Sequence, residues 1–434
     1  MKSEFRIFSI ITISMLLAAC GAKTTETVFP TQAAGMCGQG ASENRLEDRF
    51  IVQWEDGSFT IENASSADEF RSGFVRKNLA YIKHVDHDYR VQIRTVASED
   101  ASESGNDTAS EADSGNVDML SSLNWGPYSI QADSVWNDGV LGDGVLVGVV
   151  DGMVDVGHNQ LADNIYINTN EIPDNGIDDD GNGFVDDYKG IKVNAGVNSP
   201  ALNRHGTHVA GIVSADPDFG PVSGVAPRAK VVPAQFIGND GSGSIGDAII
   251  ALNYVASRGA KIINMSWGLG SCVQVPNLQA TLKQLNDRGI LLVTASGNGD
   301  SNGFGVNMDV SPAYPSAYNF TNQINVAASS RQSALLSFSN YGVKNVHVAA
   351  PGGGIYSTTP NNQIETMSGT SMAAPMVSGA AALLWSAIPS ATAAQIKQAL
   401  ISSVELPPSP LKVYSGGIIN VYRALSELKS LTSQ

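Results

Sequence analysis

The stretch GVLVGVVD, residues 144–151, is a run of apolar, mostly β-branched residues that ends abruptly on an aspartate. A strand with no polar alternation needs cover on both faces, as in a parallel sheet flanked by helices. The same texture recurs in KVVPAQFI (230–237), KIINMSW (261–267), GILLVTAS (289–296) and NVHVAAP (345–351). Between these runs lie helical patterns, IGDAIIALNYVASRG (245–259) and NLQATLKQLNDRG (277–289), each closed by a glycine, Gly259 or Gly289. A residue free to take positive φ is the common way to end a helix before the next strand. The expectation is an α/β domain over residues 122–430, a doubly wound, mostly parallel sheet with helices on both faces. Functional groups in such domains collect at the carboxyl ends of the strands, where Asp151 falls.

Outward from that domain the texture changes. Residues 1–20, MKSEFRIFSIITISMLLAAC, place Lys2 and Arg6 ahead of a short apolar run and read as an export signal. Residues 21–45 are polar and read as a spacer, and residues 46–97 alternate in strand fashion around a helical stretch, SADEFRSGFVRKNLA, as a small α+β unit. Residues 98–118 hold seven acidic residues, no basic ones and almost nothing apolar, which predicts a disordered linker. The 434-residue chain carries a formal charge of −16, which argues against nucleic acid as a partner, because phosphate neutralisation takes clustered Lys and Arg. Three cysteines, Cys20, Cys37 and Cys272, make a poor disulfide framework; Cys37 and Cys272 either pair or stay incidental.

Three residues carry chemistry together that none carries alone. Asp151 follows a strand, His205 lies at the mouth of a helix in NRHGTHVAGIV (203–213), and Ser371 opens a helix in SGTSMAAP (368–375). Acyl transfer needs a nucleophile, a base to take its proton and a carboxylate to orient that base. The chain order Asp, His, Ser separates this set from the chymotrypsin and α/β-hydrolase orders, and GTSMA lacks the G-x-S-x-G elbow. His208, three residues past His205 on the same helix, competes for the role of base but is expected to pack nearby or to bond a backbone carbonyl. His158 is read as structural.

VGVVDGMVDVGH (147–158), NRHGTHVAGIV and SGTSMAAPMVSG (368–379) resemble the three signature blocks of the subtilisin-like serine proteases, the subtilases. The resemblance implies a serine endopeptidase with the triad Asp151, His205 and Ser371, and an oxyanion donor at Asn298 in TASGNGD (294–300). It implies that peptide substrate adds as a strand to the segment containing Gly241, Ser242 and Gly243. Ser266, Trp267 and Gly268 would line one side of the pocket, and Ala295, Ser296 and Gly297 the other. The N-terminal unit is similar to an inhibitory propeptide, removed by self-cleavage after RVQIRTVA (90–97) or within the linker, as late as residue 124. LAAC resembles the lipobox of bacterial lipoproteins, which implies lipidation of Cys20 and a place in the bacterial cell envelope, at the outer membrane in a Gram-negative cell. Self-cleavage would release the protease, whereas a bridge from Cys37 to Cys272 would keep it tethered. A monomer is expected. One departure stands out: where most subtilases carry Asp-Thr-Gly or Asp-Ser-Gly, this chain has Asp151-Gly152-Met153, so a hydroxyl is missing beside the aspartate. The rival expectation is an inactive surface lipoprotein that keeps the fold to bind peptides.

NGIDDDGNGFVDD (175–187) sets Asp178, Asp180 and Asn182 at alternate positions, then the carbonyl position Phe184, with Asp186 or Asp187 to close the ring. This is how an EF-hand loop begins to wrap calcium, without its final glutamate, since the twelfth position is Lys189. A structural calcium ion is expected.

Overall fold

The computed structural model describes residues 23–29, 44–93, 122–193, 204–270 and 272–433. The proposed signal, Cys20, Cys37, the acidic linker and the expected cleavage points after residue 97 and within that linker lie outside those residues, while the latest expected point, residue 124, falls among them.

The strands, in chain order, are β1 (Arg45–Trp54), β2 (Phe59–Asn63), β3 (Ile82–Gln92), β4 (Leu146–Asp151), β5 (Ile191–Lys192), β6 (Lys230–Gln235), β7 (Ser242–Ser244), β8 (Ile262–Met265), β9 (Leu291–Ala295), β10 (Gln323–Ser329), β11 (Val348–Pro351), β12 (Ile355–Thr359) and β13 (Gln363–Met367). The longer helices are α1 (His205–Ser214), α2 (Ile245–Ser257), α3 (Pro276–Asp287), α4 (Thr370–Ala387), α5 (Ala393–Ser402) and α6 (Val421–Thr432). Seven strands form one parallel sheet in the order β11-β10-β9-β8-β4-β6-β5. The sheet is α/β, as its uninterrupted apolar strands require.

β4 shows why the pattern had to be continuous. Val147 and Val149 face a core shared with α1 and α4, while Val150 faces a second core shared with α2 and α3. All three are fully buried. Gly148 is needed because a Cβ there would stand 2.7 Å from Val255 on α2. The strand order reverses direction around β4, so the chain leaves its carboxyl end into a crevice, where ligands bind in open α/β sheets.

In the N-terminal unit β1 pairs antiparallel with β2 and β3. Its core stacks Phe50 on Phe70 with ring centres 4.2 Å apart, and Phe29 meets both edge-on. Phe29 and Val28 are buried, so this part of the expected spacer is core instead: two apolar residues in a polar context found a hydrophobic pocket that local composition did not reveal. The unit docks on the α/β domain by sheet extension. β3 pairs antiparallel with β7, with Val91 opposite Gly243, and Ile93 N donates to the Gly241 carbonyl at 3.0 Å.

Candidate active site

Asp151 ends β4 and His205 begins α1, and the two meet because α1 lies almost in contact with the turn after Asp151. A Cβ on Gly206 would stand 2.3 Å from the Gly152 carbonyl, so only glycine permits the approach. Thr207 fastens the same turn, donating through Oγ1 to the Met153 carbonyl at 3.2 Å and accepting from Asp155 N at 2.9 Å. The result is a buried pair with His205 Nδ1 2.7 Å from Asp151 Oδ1. That oxygen also accepts from Gly152 N at 2.6 Å. Asp151 Oδ2 is buried with no hydrogen-bond partner among the described residues. The missing hydroxyl at position 152 thus coincides with an unsatisfied carboxylate oxygen, which carries a desolvation penalty.

Ser371 lies in the first turn of α4, with its Oγ donating to the Ser266 carbonyl at 3.1 Å. α4 packs against α1 through small residues, Gly379 above all, where a Cβ would come within 3.3 Å of the Val213 carbonyl on α1 and 2.6 Å of Val225 in the loop after it. Asn298 follows β9. Its Oδ1 accepts from Thr370 N at 2.9 Å and Thr370 Oγ1 at 2.8 Å. A backbone N–H can only donate, so the amide orientation is decided: oxygen toward Thr370, Nδ2 toward the start of α4 beside Gly369. Thr370 was not anticipated as an orienting group, although its place next to the serine offered the signal.

The other histidines do not compete. His208 is fully buried, and its Nε2 lies 3.0 Å from the Ile355 carbonyl and 3.1 Å from the Glu365 carbonyl, bridging β12 and β13. Burial pushes it down to about 3, against the opposing pull of its bonds to the two carbonyls, so it stays neutral. His158 Nδ1 accepts from Gln160 N at 3.1 Å and its Nε2 meets the Gln363 carbonyl at 3.2 Å. His208 ties the hairpin β12–β13 to α1, and His158 ties it to the loop after β4.

The expected pocket walls divide. Gly268 and Gly297 remain partly accessible, while the side chains of Ala295 and Ser296 are buried. Trp267 is a packed aromatic, 4% exposed, with its Nε1 donating to the Val150 carbonyl at 2.8 Å and its ring edge-on to Phe236 at 4.9 Å. Its indole therefore holds the strand that carries Asp151 rather than presenting a wall. Ser266 is likewise turned inward, 1% exposed. Gly241, Ser242 and Gly243 form the edge that β3 occupies. Gly243 has no room for a side chain, since a Cβ would meet the Phe236 carbonyl at 2.5 Å.

At that interface acidic side chains of the N-terminal unit cap two helices. Asp88 Oδ1 accepts from Gly246 N at 2.9 Å in the first turn of α2, and Asp86 Oδ2 accepts from Asn277 N at 2.7 Å in that of α3. These are the orphan donors of a helix start. Arg49 Nε pairs with Asp88 Oδ2 at 3.1 Å and its guanidinium also pairs with Asp247. Desolvation raises the Asp88 carboxyl despite the opposing pull of Arg49.

In the acidic loop the carboxylates separate. Glu171, Asp178 and Asp180 place ligand oxygens within 4.8 Å of one another. Glu171 is 4% exposed; its Oε1 accepts from Asp179 N and Asp180 N, and its Oε2 is buried without a hydrogen-bond partner among the described residues. Asp180 also pairs with Arg258 at 2.8 Å, and a hydrogen bond from Asn168 is the main reason its carboxyl falls to about 2. Asn182 stays beside the cluster, its N–H donating to Asp178 and Asp180. Asp186 and Asp187 do not close the ring. Asp186 caps Asn175 N and Gly176 N, and Asp187 bonds Asn168 and Asn182 near Arg258. Phe184 packs its ring on Tyr254 at 5.2 Å. Glu171, seven residues before Asp178, was missed because it lies outside the alternating pattern. Cys272, 5% exposed, is disulfide-bonded.

The subtilase family (peptidase S8) matches residues 142–421. Thermitase of Thermoactinomyces vulgaris is 32% identical over 316 residues, covering 71% of this chain and 98% of thermitase. The major intracellular serine protease of Bacillus subtilis is 36% identical over 256 residues, 59% of this chain and 72% of that protein. Subtilisin-like protease 2 of Plasmodium falciparum is 36% identical over 282 residues; the aligned part is 61% of this chain but only 20% of that much longer relative.

Proposed function

The chain belongs to the subtilase family, whose members are serine endopeptidases, and on that premise we propose that it hydrolyses peptide bonds through Ser371, His205 and Asp151. The observation that carries the reading is the buried 2.7 Å contact between Asp151 and His205 Nδ1 at the strand ends where α4 delivers Ser371. The Nδ1–H donates to Asp151, which leaves Nε2 as the base. Ser371 Oγ attacks the substrate carbonyl, its proton passes to His205 Nε2, and the proton then goes to the leaving amine. Asp151 holds the tautomer and offsets the imidazolium charge. Asn298 Nδ2 and the Ser371 N–H, at the positive end of α4, donate to the oxyanion.

Substrate pairs with β7. The N-terminal unit fills that edge with β3, which supports a propeptide that blocks the cleft until a cut after residue 97 or within the linker, as late as residue 124. The family commonly binds calcium, and Glu171, Asp178 and Asp180 would hold one ion here. The unpartnered, buried Glu171 Oε2 fits a cation, which would supply charge neutralisation and loop rigidity, not chemistry. We further propose an exported lipoprotein precursor, anchored through Cys20 in the bacterial envelope, acting as a monomer on protein substrates. The bonded state of Cys272 supports a tether to the N-terminal segment, because the sequence holds its other two cysteines there.

The test compares the purified wild-type 21–434 chain with Ser371→Ala by mass, with calcium and under reducing conditions. Loss of a fragment of roughly 100 residues from wild type alone supports the triad and the propeptide together. Two intact chains, with no cleavage of unfolded casein, would favour the peptide-binding lipoprotein.

A further inference from the structure

We propose that Asn264 and Ser378 are positioning residues for the nucleophile, linked to Ser371 by a one-way chain of buried hydrogen bonds; the proposal rests on Ser371 being the nucleophile. It starts from a defect in α4. The carbonyl of Ser371 would normally accept the N–H four residues on, but that residue is Pro375, which has none. Ser266 supplies the missing donor, its Oγ lying 2.8 Å from the Ser371 carbonyl.

A hydroxyl has one proton, so once Ser266 Oγ donates to Ser371 it can only accept elsewhere. It accepts from Asn264 Nδ2 at 2.9 Å. Asn264 Oδ1 in turn accepts from Ser378 Oγ at 2.9 Å. Each direction is dictated by the one before. Ser378 lies seven residues, two turns, beyond Ser371 on the same face of α4. The chain therefore closes a ring: helix to Ser378, across to Asn264 on β8, to Ser266, and back to the first turn of the helix.

Ser371 Oγ donates to the Ser266 backbone carbonyl at 3.1 Å, so the two serines exchange bonds and the nucleophile's oxygen sits at a set place over the end of β8. Asn264 and Ser378 have no exposed surface and Ser266 has 1%. Buried chains of this kind polarise one another and hold one geometry, and a lost member leaves a costly unpaired group. Neither Asn264 nor Ser378 faces the cleft. Their effect on the reaction passes through the position of Ser371, and nucleophile position is where small displacements cost rate.

The experiment uses the processed protein and measures kcat and KM on a peptide substrate. It also measures the second-order rate at which a fluorophosphonate modifies Ser371, which reports the nucleophile without substrate binding. Wild type must react and Ser371→Ala must not; a failure there overturns the catalytic reading itself, separately from the relay. Given that, Ser378→Ala is expected to lower both kcat and the phosphonylation rate about tenfold, with KM within about twofold. Ser378→Thr, which keeps the hydroxyl, should recover most of the loss. Asn264→Ala should lower both rates at least as far, and adding Ser378→Ala to it should change little more, as for members of one network. Because Asn264→Ala risks misfolding, thermal melts accompany each variant and Ser378→Ala carries the decision. A phosphonylation rate for Ser378→Ala within about twofold of wild type, a loss confined to KM, or no recovery in Ser378→Thr would overturn the proposal.

Discussion

Replacing Arg49 by methionine tests how the N-terminal unit is held over the cleft. Asp88 is fully buried and spends Oδ1 on the N–H groups of Gly246 and Tyr89, so Arg49 is the cation facing its other oxygen. Removing one partner of a fully buried pair costs about 3–5 kcal/mol. The Arg49 side chain is 26% exposed, so solvent screens part of the loss, and about 2–3 kcal/mol is the reasonable expectation. At 1.36 kcal/mol per decade this is roughly a 30- to 150-fold increase in undocking. The assay is amide hydrogen exchange on the full-length Ser371→Ala chain, read at Gly246 and Asn277, whose N–H groups are protected by Asp88 and Asp86 only while the unit is docked. The sign with pH follows from the raised Asp88 carboxyl. A carboxyl that is harder to ionise in the docked state binds protons better there, so docking strengthens as pH falls through its elevated value and weakens as pH rises. Arg49→Met raises that value further. Its defect relative to wild type, compared at equal pH, should be large at neutral pH and shrink on acidification, and adding Asp88→Asn should recover part of it. A defect that is independent of pH, or one that Asp88→Asn deepens, would refute the account of an uncompensated buried charge.

Three further outcomes follow from the site. Asn298→Leu should lower kcat by about 10²–10³-fold with little change in KM, in steady-state peptide hydrolysis, because a bond from its amide to the oxyanion gains its strength in the transition state. Chelation of calcium should lower the melting temperature of the wild-type protein; Glu171→Gln should remove most of that calcium-dependent shift, and Asp186→Asn, which alters a turn cap instead, should retain it. His208 is held neutral down to about 3 mainly by burial, so its contribution to stability is complete above the unfolded value near 6.5 and is lost as pH falls from there. In His208→Gln, acid denaturation monitored by circular dichroism should lose that dependence.

Much of the protein could be read without coordinates. The apolar runs around Val147, Ile263 and Leu292 dictated a parallel sheet covered on both faces, because a strand buried twice tolerates no polar alternation. Asp151, His205 and Ser371 stood out through short blocks whose glycines and small residues serve backbone approach; the spacing of His208 left packing and a carbonyl bond both open, and the structure gives it two carbonyls. These are local constraints, written within a dozen residues of chain. Other features depended on residues far apart in sequence. Trp267 turned inward because the Val150 carbonyl needed a donor and Phe236 offered a face, neither visible from MSWGLG. Glu171 joined Asp178 and Asp180, and Asp186 left for a turn, because loop closure and Arg258 decided which oxygens converge. Val28 and Phe29 became core, and β3 extended a sheet onto β7. The ring from Ser378 through Asn264 to Ser371 joins two elements more than 100 residues apart, 114 between Ser378 and Asn264. Periodicity and motif spacing record what a segment must satisfy along its own length; which distant group satisfies a buried donor or charge is settled only when the chain has packed.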